Sequence, residues 1–579
     1  MKLKYIFYVA IGILPLASCN DFLDKVPDNR VDPTTSDQLL NMLVDGYPYG
    51  NYARLCEYSS DNIIDNNSPD KNGVRYNLQA YELMDDEIYA WEDVTASTDA
   101  DSPSAVWESS YHAIAVANHV LAKIDELKKN GRVFEGTDLE KLNAAYGEAL
   151  LIRAYNHFVL VNIFAQQYRG KELSQSILGI PYVTEPETEV LVQYSRNSVA
   201  EVYEKIEADL LEGLKYVSDT YYETPKYHFN KRAANAFAAR FFLFTRQYER
   251  VEQYATAVLG DVATTSQTRS SSYWAVDFSN TDANMYAYVS SQSASNIMLL
   301  ATQSTYWRSI LTGRYAVNRE PSIESIAGSG PTWDYSFHPC FNGKLYVPGG
   351  NQDYGVWFMK VNEFFEYTDK VAGIGYPHFI KAEFTYEETL LTRAEARIYL
   401  GNIDGAVADL KVWDDARKNL KGNYTFETLT KELIESYYDP SITTSMWEYD
   451  PRPGIFDKLN IDEICPSAQY SLTDDKLPYI YCVLHFRRIE TIFDGFRWFD
   501  IKRYGIEFTR KIGRDREETL TKLDPRRALQ LPAEVIAAGI EGNNRVVSSG
   551  SVGSSVNSQR LIKSQKCIPY SRSYKKSNN

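Results

Sequence analysis

The sequence predicts a mainly α-helical protein, in which a scaffold of tetratricopeptide-like helix pairs (an α-α superhelix) carries a long irregular lobe. Three observations predict this fold. Several segments place apolar residues on one face at helical spacing, two of them repeat one residue pattern, and the region 261–380 lacks that periodicity. A chain of 579 residues also has enough length to bury a large core without disulfides or metals.

The amino-acid composition limits the classes of molecule that the protein is expected to bind. With 61 Lys and Arg against 77 Asp and Glu, the formal net charge is -16, which argues against nucleic acid because phosphate contacts need clustered cations. A hydrophobic content of 44% excludes wholesale disorder. The chain also has 44 Tyr and 9 Trp, flat amphipathic rings that favour recognition surfaces as well as core packing.

The first element is a targeting segment. Lys2 and Lys4 precede an apolar run at 5–16, which is shorter than the ~20 residues that span a bilayer as a helix. The run leads into Leu16-Ala17-Ser18-Cys19, the pattern of a bacterial lipoprotein signal. We expect a signal peptide at 1–18, acyl chains on Cys19 and a polar tether at 19–45, so that the protein is anchored to a membrane that it does not cross.

Five cysteines remain after Cys19. Their odd number and irregular spacing exclude a disulfide framework, although one bridge remains open in an oxidising compartment, and the sequence does not assign it. They are Cys56, Cys340, Cys465, Cys482 and Cys567.

The next region, 46–260, is predicted to be helical. Apolar residues recur three and four positions apart on one face of each helix. The predicted helices are 107–127, 143–164, 199–217, 233–245 and 250–259.

The region 381–545 repeats this organisation. Helices are predicted at 386–400 and 404–413, and LLTRAEARIYL from Leu390 matches LLIRAYNHFVL from Leu150 in its two leucines, its Arg-Ala pair and its final Leu. Small residues that let two helices approach, with large residues filling the groove, are typical of tetratricopeptide packing. Because these units lie far apart in the chain, we expect a scaffold with long insertions.

The largest insertion is the lobe at 261–380, which is rich in Ser, Gly, Tyr and Trp. An irregular region of this length in a compact protein usually carries function on a rigid frame. After it, the Ser-rich and basic tail at 546–579 is predicted to be flexible.

Common catalytic motifs are missing from the sequence. It has no Gly-x-Ser-x-Gly elbow, no phosphate-binding Gly-rich loop and no His-Glu-x-x-His pair, and its seven histidines are dispersed. We therefore expect no cofactor, no metal and no catalysis. An Asp/Glu pair of the kind that glycosidases use stays open as an alternative, since acidic residues are abundant.

Several blocks together resemble the SusD/RagB-like nutrient-binding outer-membrane lipoproteins. The opening Cys19-Asn20-Asp21-Phe22-Leu23-Asp24 and the closing Leu531-Pro532 frame four longer segments. These are WESSYHAIAVANHVL at 107–121, GEALLIRAYNHFVLVNIFA at 147–165, ETLLTRAEARIYLGNIDGAVADL at 388–410 and RRIETIFDGFRWFDIKRYG at 487–505. The tail after about residue 544 departs from the family's usual short ending.

The resemblance implies four tetratricopeptide-like helix pairs and a lipid anchor in the outer membrane, at the cell surface. It also implies a SusC-like TonB-dependent barrel as partner, to which the protein delivers oligosaccharide or, in some members, peptide.

A sugar binder needs aromatic platforms for ring faces, flanked by polar groups that pair with hydroxyls. The resemblance places the site in the loops before residue 107 and in the lobe. The candidates there are Asp61, Asn62, Arg75, Trp91, Trp274, Trp307 with Arg308, and Trp333 with Asp334 and Tyr335. In contrast, Trp107, Trp413 and Trp498 are assigned to packing, and Arg497 and Asp500 to capping or an internal ion pair.

The leading hypothesis is thus a non-catalytic surface lipoprotein that captures glycans for a transporter. Capture of peptides, a carbohydrate-active enzyme and a periplasmic tetratricopeptide-like adaptor remain as alternatives. The sequence names neither the ligand nor any Ca²⁺ site, and it assigns no role to the basic tail.

Overall fold

The computed structural model of the protein describes most of the chain between residues 33 and 547. The described ranges are 33–70, 72–95, 100–187, 192–269, 281–321, 328–333, 345–346, 355, 357–358, 360–361, 363–417, 427–441 and 455–547. The predicted signal peptide, Cys19, Trp274, Asp334, Tyr335, Cys340 and the tail from 548 onward lie outside the described residues. The expectations for them therefore remain predictions.

The fold is mainly helical, as predicted. In the N-terminal part, the helices are α1 Ser36–Met42, α2 Ala53–Ser59, α3 Leu83–Tyr89, α4 Pro103–Lys129, α5 Gly136–Phe164, α6 Lys171–Ser174, α7 Val199–Tyr216, α8 Lys231–Phe244 and α9 Tyr248–Leu259. In the lobe, they are α10 Thr281–Tyr288, α11 Tyr306–Leu311 and α12 Arg319–Pro321. In the C-terminal part, they are α13 Tyr386–Tyr399, α14 Ile403–Arg417, α15 Lys431–Tyr437, α16 Ile461–Ile464, α17 Leu477–Glu490, α18 Phe496–Tyr504 and α19 Ala533–Ala537.

Helix starts follow local capping signals. Helix α4 begins four residues before its apolar pattern because Ser102 caps it and Pro103 occupies its first turn. Helix α1 begins inside the predicted tether at 19–45, since Thr35 forms a capping box with Gln38. Helical structure is therefore present about ten residues before the predicted boundary at residue 46.

Consecutive helices pack in pairs, α4 with α5, α8 with α9 and α13 with α14, and α13 also packs against α9 and α17. Helices α5 and α7 approach so closely that a Cβ atom at Gly147 would lie 2.7 Å from the backbone nitrogen of Val217. Small residues at such contacts are what the tetratricopeptide-like pattern predicts.

One continuous core joins the two helical parts. Trp413 and Trp498 are fully buried and Trp107 is nearly so, which confirms their assignment to packing. Arg497 pairs with Asp61, and Asp500 pairs with Arg487, which confirms the internal ion pairs.

The lobe contains regular structure that the sequence did not predict. Strand β2 (Asn296–Gln303) pairs antiparallel with β7 (Ile374–Thr385), which pairs with β6 (Phe364–Asp369). Shorter strands are β1 Ile64–Asp65, β3 Tyr315–Ala316, β4 Leu345–Tyr346, β5 Trp357–Phe358, β8 Phe508–Ile512 and β9 Arg516–Leu520. A short apolar run such as β2 (NIMLLATQ) has no period that separates a buried strand from a helix, which explains the miss.

The β6–β7 hairpin extends past the end of β2. Strand β2 pairs with β7 from His378 onward, whereas β6 pairs with residues 374–378. We call residues 364–378 the ribbon. Its tip turns at Gly373, whose φ of +69° favours glycine. The ribbon is where the lobe reaches solvent.

Within the described residues, no helix is long and apolar enough to cross a membrane. Cys56, Cys465 and Cys482 are buried free thiols.

Candidate ligand-binding site

The two predicted site zones, before residue 107 and in the lobe, meet in the structure. Strand β1 pairs with β3, so that Ile64 lies opposite Ala316. The side chain of Asn66 donates a hydrogen bond to the carbonyl oxygen of Gly313 at 2.5 Å and accepts one from Asn318 at 2.8 Å. These contacts fix the first loop against the lobe beside helix α11.

An ion pair between Arg308 and Glu363 lies at the edge of this junction. Arg308 on α11 donates from Nε and Nη2 to the carboxylate of Glu363, at 3.0 and 2.8 Å. The hydrogen bond to Glu363, followed by that to the phenol of Tyr81, raises the pKa of Arg308. Tyr81 belongs to the first zone and Glu363 precedes β6, so the pair links the two zones to the ribbon.

Aromatic rings continue the surface from Glu363. Phe364 stacks on Tyr286, with ring centroids 4.8 Å apart and planes 25° apart. The Tyr286 side chain is 61% exposed, and Phe364 rests on a small apolar cluster around Tyr288 and Val289. Trp307, next to Arg308, is half-buried. We call this contiguous set the lobe surface: Tyr81, Tyr286, Trp307, Arg308, Glu363 and Phe364.

The lobe surface combines two chemistries. Ring faces can stack on the C–H patches of a sugar, and phenol, guanidinium and carboxylate groups can pair with its hydroxyls. Because Arg308 and Glu363 hold each other in place, these polar groups are positioned before a ligand arrives. Ordered donors and acceptors lose less entropy on binding than mobile ones.

Two predicted ligand residues lie inside the fold. Asn62 is fully buried, donating to Glu57 at 2.8 Å and accepting from Arg488 at 2.7 Å. Asp61 accepts from Arg497 at 2.6 Å. Burial by itself would raise the pKa of Asp61, but Arg488 and Arg497 outweigh it and hold that pKa well below its usual range. These contacts fix the end of α2 against α17 and α18.

Trp91 is also buried, with 3% of its surface exposed. Its indole nitrogen donates to the Ser59 carbonyl at 3.0 Å, and the Arg510 guanidinium lies 4.1 Å from its ring centre. The backbone of Trp91 adopts a φ of +53°, which is rare for a bulky side chain. Both ring faces therefore serve packing rather than a ligand.

Trp333 has the same 3% exposure. Its indole nitrogen donates to the Gly328 carbonyl at 3.0 Å, and its ring packs against His485 and Phe486 on α17. Trp333 thus anchors the short segment 328–333 to the scaffold. We expected an open platform here, and the structure shows a buried ring.

Arg75 is exposed on a loop beside β1. Asn67 holds that loop, since its side chain both donates to and accepts from the backbone of Leu78 at 2.8 Å. Arg75 and Trp307 are therefore the described candidates that remain accessible.

Sequence reasoning did not select Tyr81, Tyr286, Glu363 or Phe364. The alternation in FFEYTD at 364–369, with aromatic residues interleaved with polar ones, is the signal that could have identified the ribbon.

Three small cavities lie among the described residues. One beside Trp91, lined by Arg526 and Arg545, has about 10 Å³ of internal space, room for about one water. Among the described residues, no group of three or more His, Cys, Asp or Glu side chains could hold a metal ion.

The fold and this surface define a class: a helical, tetratricopeptide-like scaffold that carries a lobe with exposed aromatic rings. Residues 21–243 match the family model SusD-like_3, described as "Starch-binding associating with outer membrane". Residues 21–243 of the chain are therefore similar to SusD-like proteins.

Solved structures share the fold. A SusD superfamily protein from Bacteroides thetaiotaomicron VPI-5482 is 18% identical with a TM-score of 0.56, covering 88% of this chain and 100% of that one. Another from Bacteroides fragilis is 18% identical with a TM-score of 0.54, covering 87% and 97%. A third, from Bacteroides vulgatus ATCC 8482, is 18% identical with a TM-score of 0.52, covering 88% and 98%. No curated protein matches the sequence.

Proposed function

We propose that this protein captures glycans at the cell surface and delivers them to a SusC-like TonB-dependent barrel in the outer membrane. Capture is proposed to occur without cleavage. The observation that carries the proposal is the lobe surface, where an exposed Tyr286–Phe364 stack adjoins the fixed Arg308–Glu363 pair. The description of the matching family model, which names starch binding and the outer membrane, supports the same role.

The proposed membrane attachment is lipid on Cys19. The sequence before it has the charge, length and small residues of a lipoprotein signal. Several acyl chains give stable anchoring where a single chain gives only reversible binding. A Cys19→Ala variant should leave the outer-membrane fraction, and it should no longer incorporate labelled fatty acid.

The binding experiment is calorimetric titration of the full chain with a panel of neutral oligosaccharides and a panel of peptides. We expect saturable binding of an oligosaccharide and no release of reducing ends. Tyr286→Ala should weaken that binding by about tenfold, since an aromatic contact contributes about 1–2 kcal/mol.

Tyr216→Ala is the matched control, because Tyr216 is a partly exposed tyrosine at the end of the scaffold helix α7. It should bind as the unchanged protein does. Release of reducing ends would support the enzyme alternative, and binding of peptides alone would support the peptide alternative. Equal losses in both variants would mean that the lobe surface is not the site.

Delivery requires a partner barrel. Affinity purification of the full chain from detergent-solubilised outer membranes should recover a TonB-dependent barrel in stoichiometric amount. Purification of the lipoprotein alone, under conditions that preserve known barrel complexes, would contradict the delivery step.

A further inference from the structure

The charges of the lobe surface are already paired with one another. Glu363 engages Arg308 through both of its oxygens, at 3.0 Å from Nε to each oxygen. A guanidinium has five N–H donors, and this contact occupies those on Nε and Nη2. The guanidinium also pairs with the phenol of Tyr81. Donors beyond these contacts can pair with hydroxyl oxygens, but the positive charge is already matched by an adjacent carboxylate.

Two neighbouring basic side chains also lie beside carboxylates. His378 lies directly opposite Phe364 on the ribbon, and its Nδ1 is 3.3 Å from the carboxylate of Glu366. Arg314, which follows α11, contacts the carboxylates of both Asp65 and Asp86. The side chains of Glu366 and Asp86 are 51% and 35% exposed, so both carboxylates reach solvent.

We infer that the lobe surface selects uncharged glycans over glycans that carry carboxylate or sulfate groups. This inference rests on the proposed capture of glycans and adds the class of glycan.

The physical reason is competition and repulsion. An anionic group approaching Arg308 must displace Glu363 or share its guanidinium with it, and like charges brought together at an interface oppose binding. A neutral sugar uses the same groups as hydrogen-bond donors and acceptors without that penalty. Arg75 on the neighbouring loop and Lys370 at the tip of the ribbon are exposed cations that could still attract an anion, and the experiment includes Arg75.

The test compares matched polymers against the full chain. The probes are soluble starch, a mixed-linkage β-glucan and arabinoxylan, each in native and carboxymethylated form, measured by affinity electrophoresis at low and high NaCl. For the polymer that binds, the native form should bind at least about tenfold more tightly at low salt. High salt should narrow the difference because it screens repulsion between exposed charges.

Three variants locate the effect. Glu363→Gln releases the charge of Arg308 and should reduce the preference for the native polymer to about threefold or less. Glu212→Gln is the matched control, since it makes the same chemical change at a Glu–Lys pair on scaffold helix α7. It should keep the full preference, and Arg75→Ala should keep or increase it.

The possible results distinguish a failure of this inference from a failure of the proposed glycan capture on which it rests. Tighter binding of the carboxymethylated polymer, weakened by added salt, would overturn the preference for uncharged glycans while supporting glycan capture. A preference that Glu363→Gln leaves unchanged would overturn the role of the Arg308–Glu363 pair. Binding to none of the six polymers, together with a negative oligosaccharide panel, would overturn glycan capture itself.

Discussion

The helical scaffold and the lobe surface use the same side-chain types in opposite ways. In the scaffold, Glu395 is buried and accepts from Arg487 at 2.6 Å and from Arg503 at 3.0 Å. On the lobe surface, Arg308 and Glu363 make a similar pair that water still reaches. Trp413 is sealed in the core, whereas Tyr286 presents most of its ring to solvent.

This contrast shows that burial, more than residue type, separates side chains that stabilise the fold from side chains that are accessible to a ligand. A buried charge that loses its partner is strongly destabilising, whereas an exposed pair contributes little to stability. Substitutions in the two regions should therefore affect different measurements.

The largest effect is expected for Glu395→Ala. Removing this carboxylate leaves two buried arginines with less compensation, and Arg487 and Arg503 retain Asp500 alone as a shared partner. The free energy of unfolding should fall by about 3–5 kcal/mol. Both variants are measured by urea unfolding, and Glu363→Ala should change the free energy of unfolding by less than about 1 kcal/mol. Equal losses for the two variants would remove the distinction between the regions.

The Trp333→Ala variant extends the comparison between buried and exposed side chains to rings within the lobe. Because its ring fills a site against α17, truncation should cost about 3 kcal/mol of unfolding free energy. Tyr367→Ala, at a ribbon tyrosine that is 52% exposed, should cost less than about 0.5 kcal/mol. A stable Trp333→Ala variant that binds glycan poorly would instead restore Trp333 as a ligand platform.

A smaller effect is expected for the dependence of stability on pH. Lys502 is buried and donates to the backbone carbonyls of Asn162 and Ala165, at 2.5 and 2.7 Å. Burial lowers its pKa to about 7. Above that value the unfolded chain binds a proton that the folded protein does not, so stability rises as pH increases from about 7 toward the unfolded pKa.

The measurement is urea unfolding of the full chain and of Lys502→Met at pH 7 and 8.5. The difference in stability between the two proteins should change by about 2 kcal/mol across this range, in favour of the unchanged chain at the higher pH. A constant difference would show that Lys502 does not lose its proton in the folded protein.

Much of the scaffold could be predicted from the sequence because its signals are local. Periodic apolar residues and the repeated Leu-Leu-x-Arg-Ala pattern identified α5 and α13. The buried network around Asp61 and Asn62 could not be predicted in this way, since its partners Arg488 and Arg497 lie more than four hundred residues further along the chain.

The two zones predicted to form the site lie together in the structure, but only some of the candidate residues lie at their junction. The loops before residue 107 do meet the lobe, and Trp307 and Arg308 lie at that junction. A Trp in an irregular segment can seal the lobe or face solvent, and sequence does not distinguish these outcomes. Trp333 is sealed by helix α17, which is distant in sequence, while Tyr286 stays exposed although Phe364 covers one face of its ring.

The central claim is tested most directly by hydroxyl-radical footprinting of the full chain, with and without saturating oligosaccharide from the panel. We predict that the ligand lowers side-chain oxidation at Tyr286, Trp307 and Phe364, and leaves the scaffold tyrosines Tyr49 and Tyr216 unchanged. Protection on the scaffold, with the three lobe rings oxidised as before, would contradict the account.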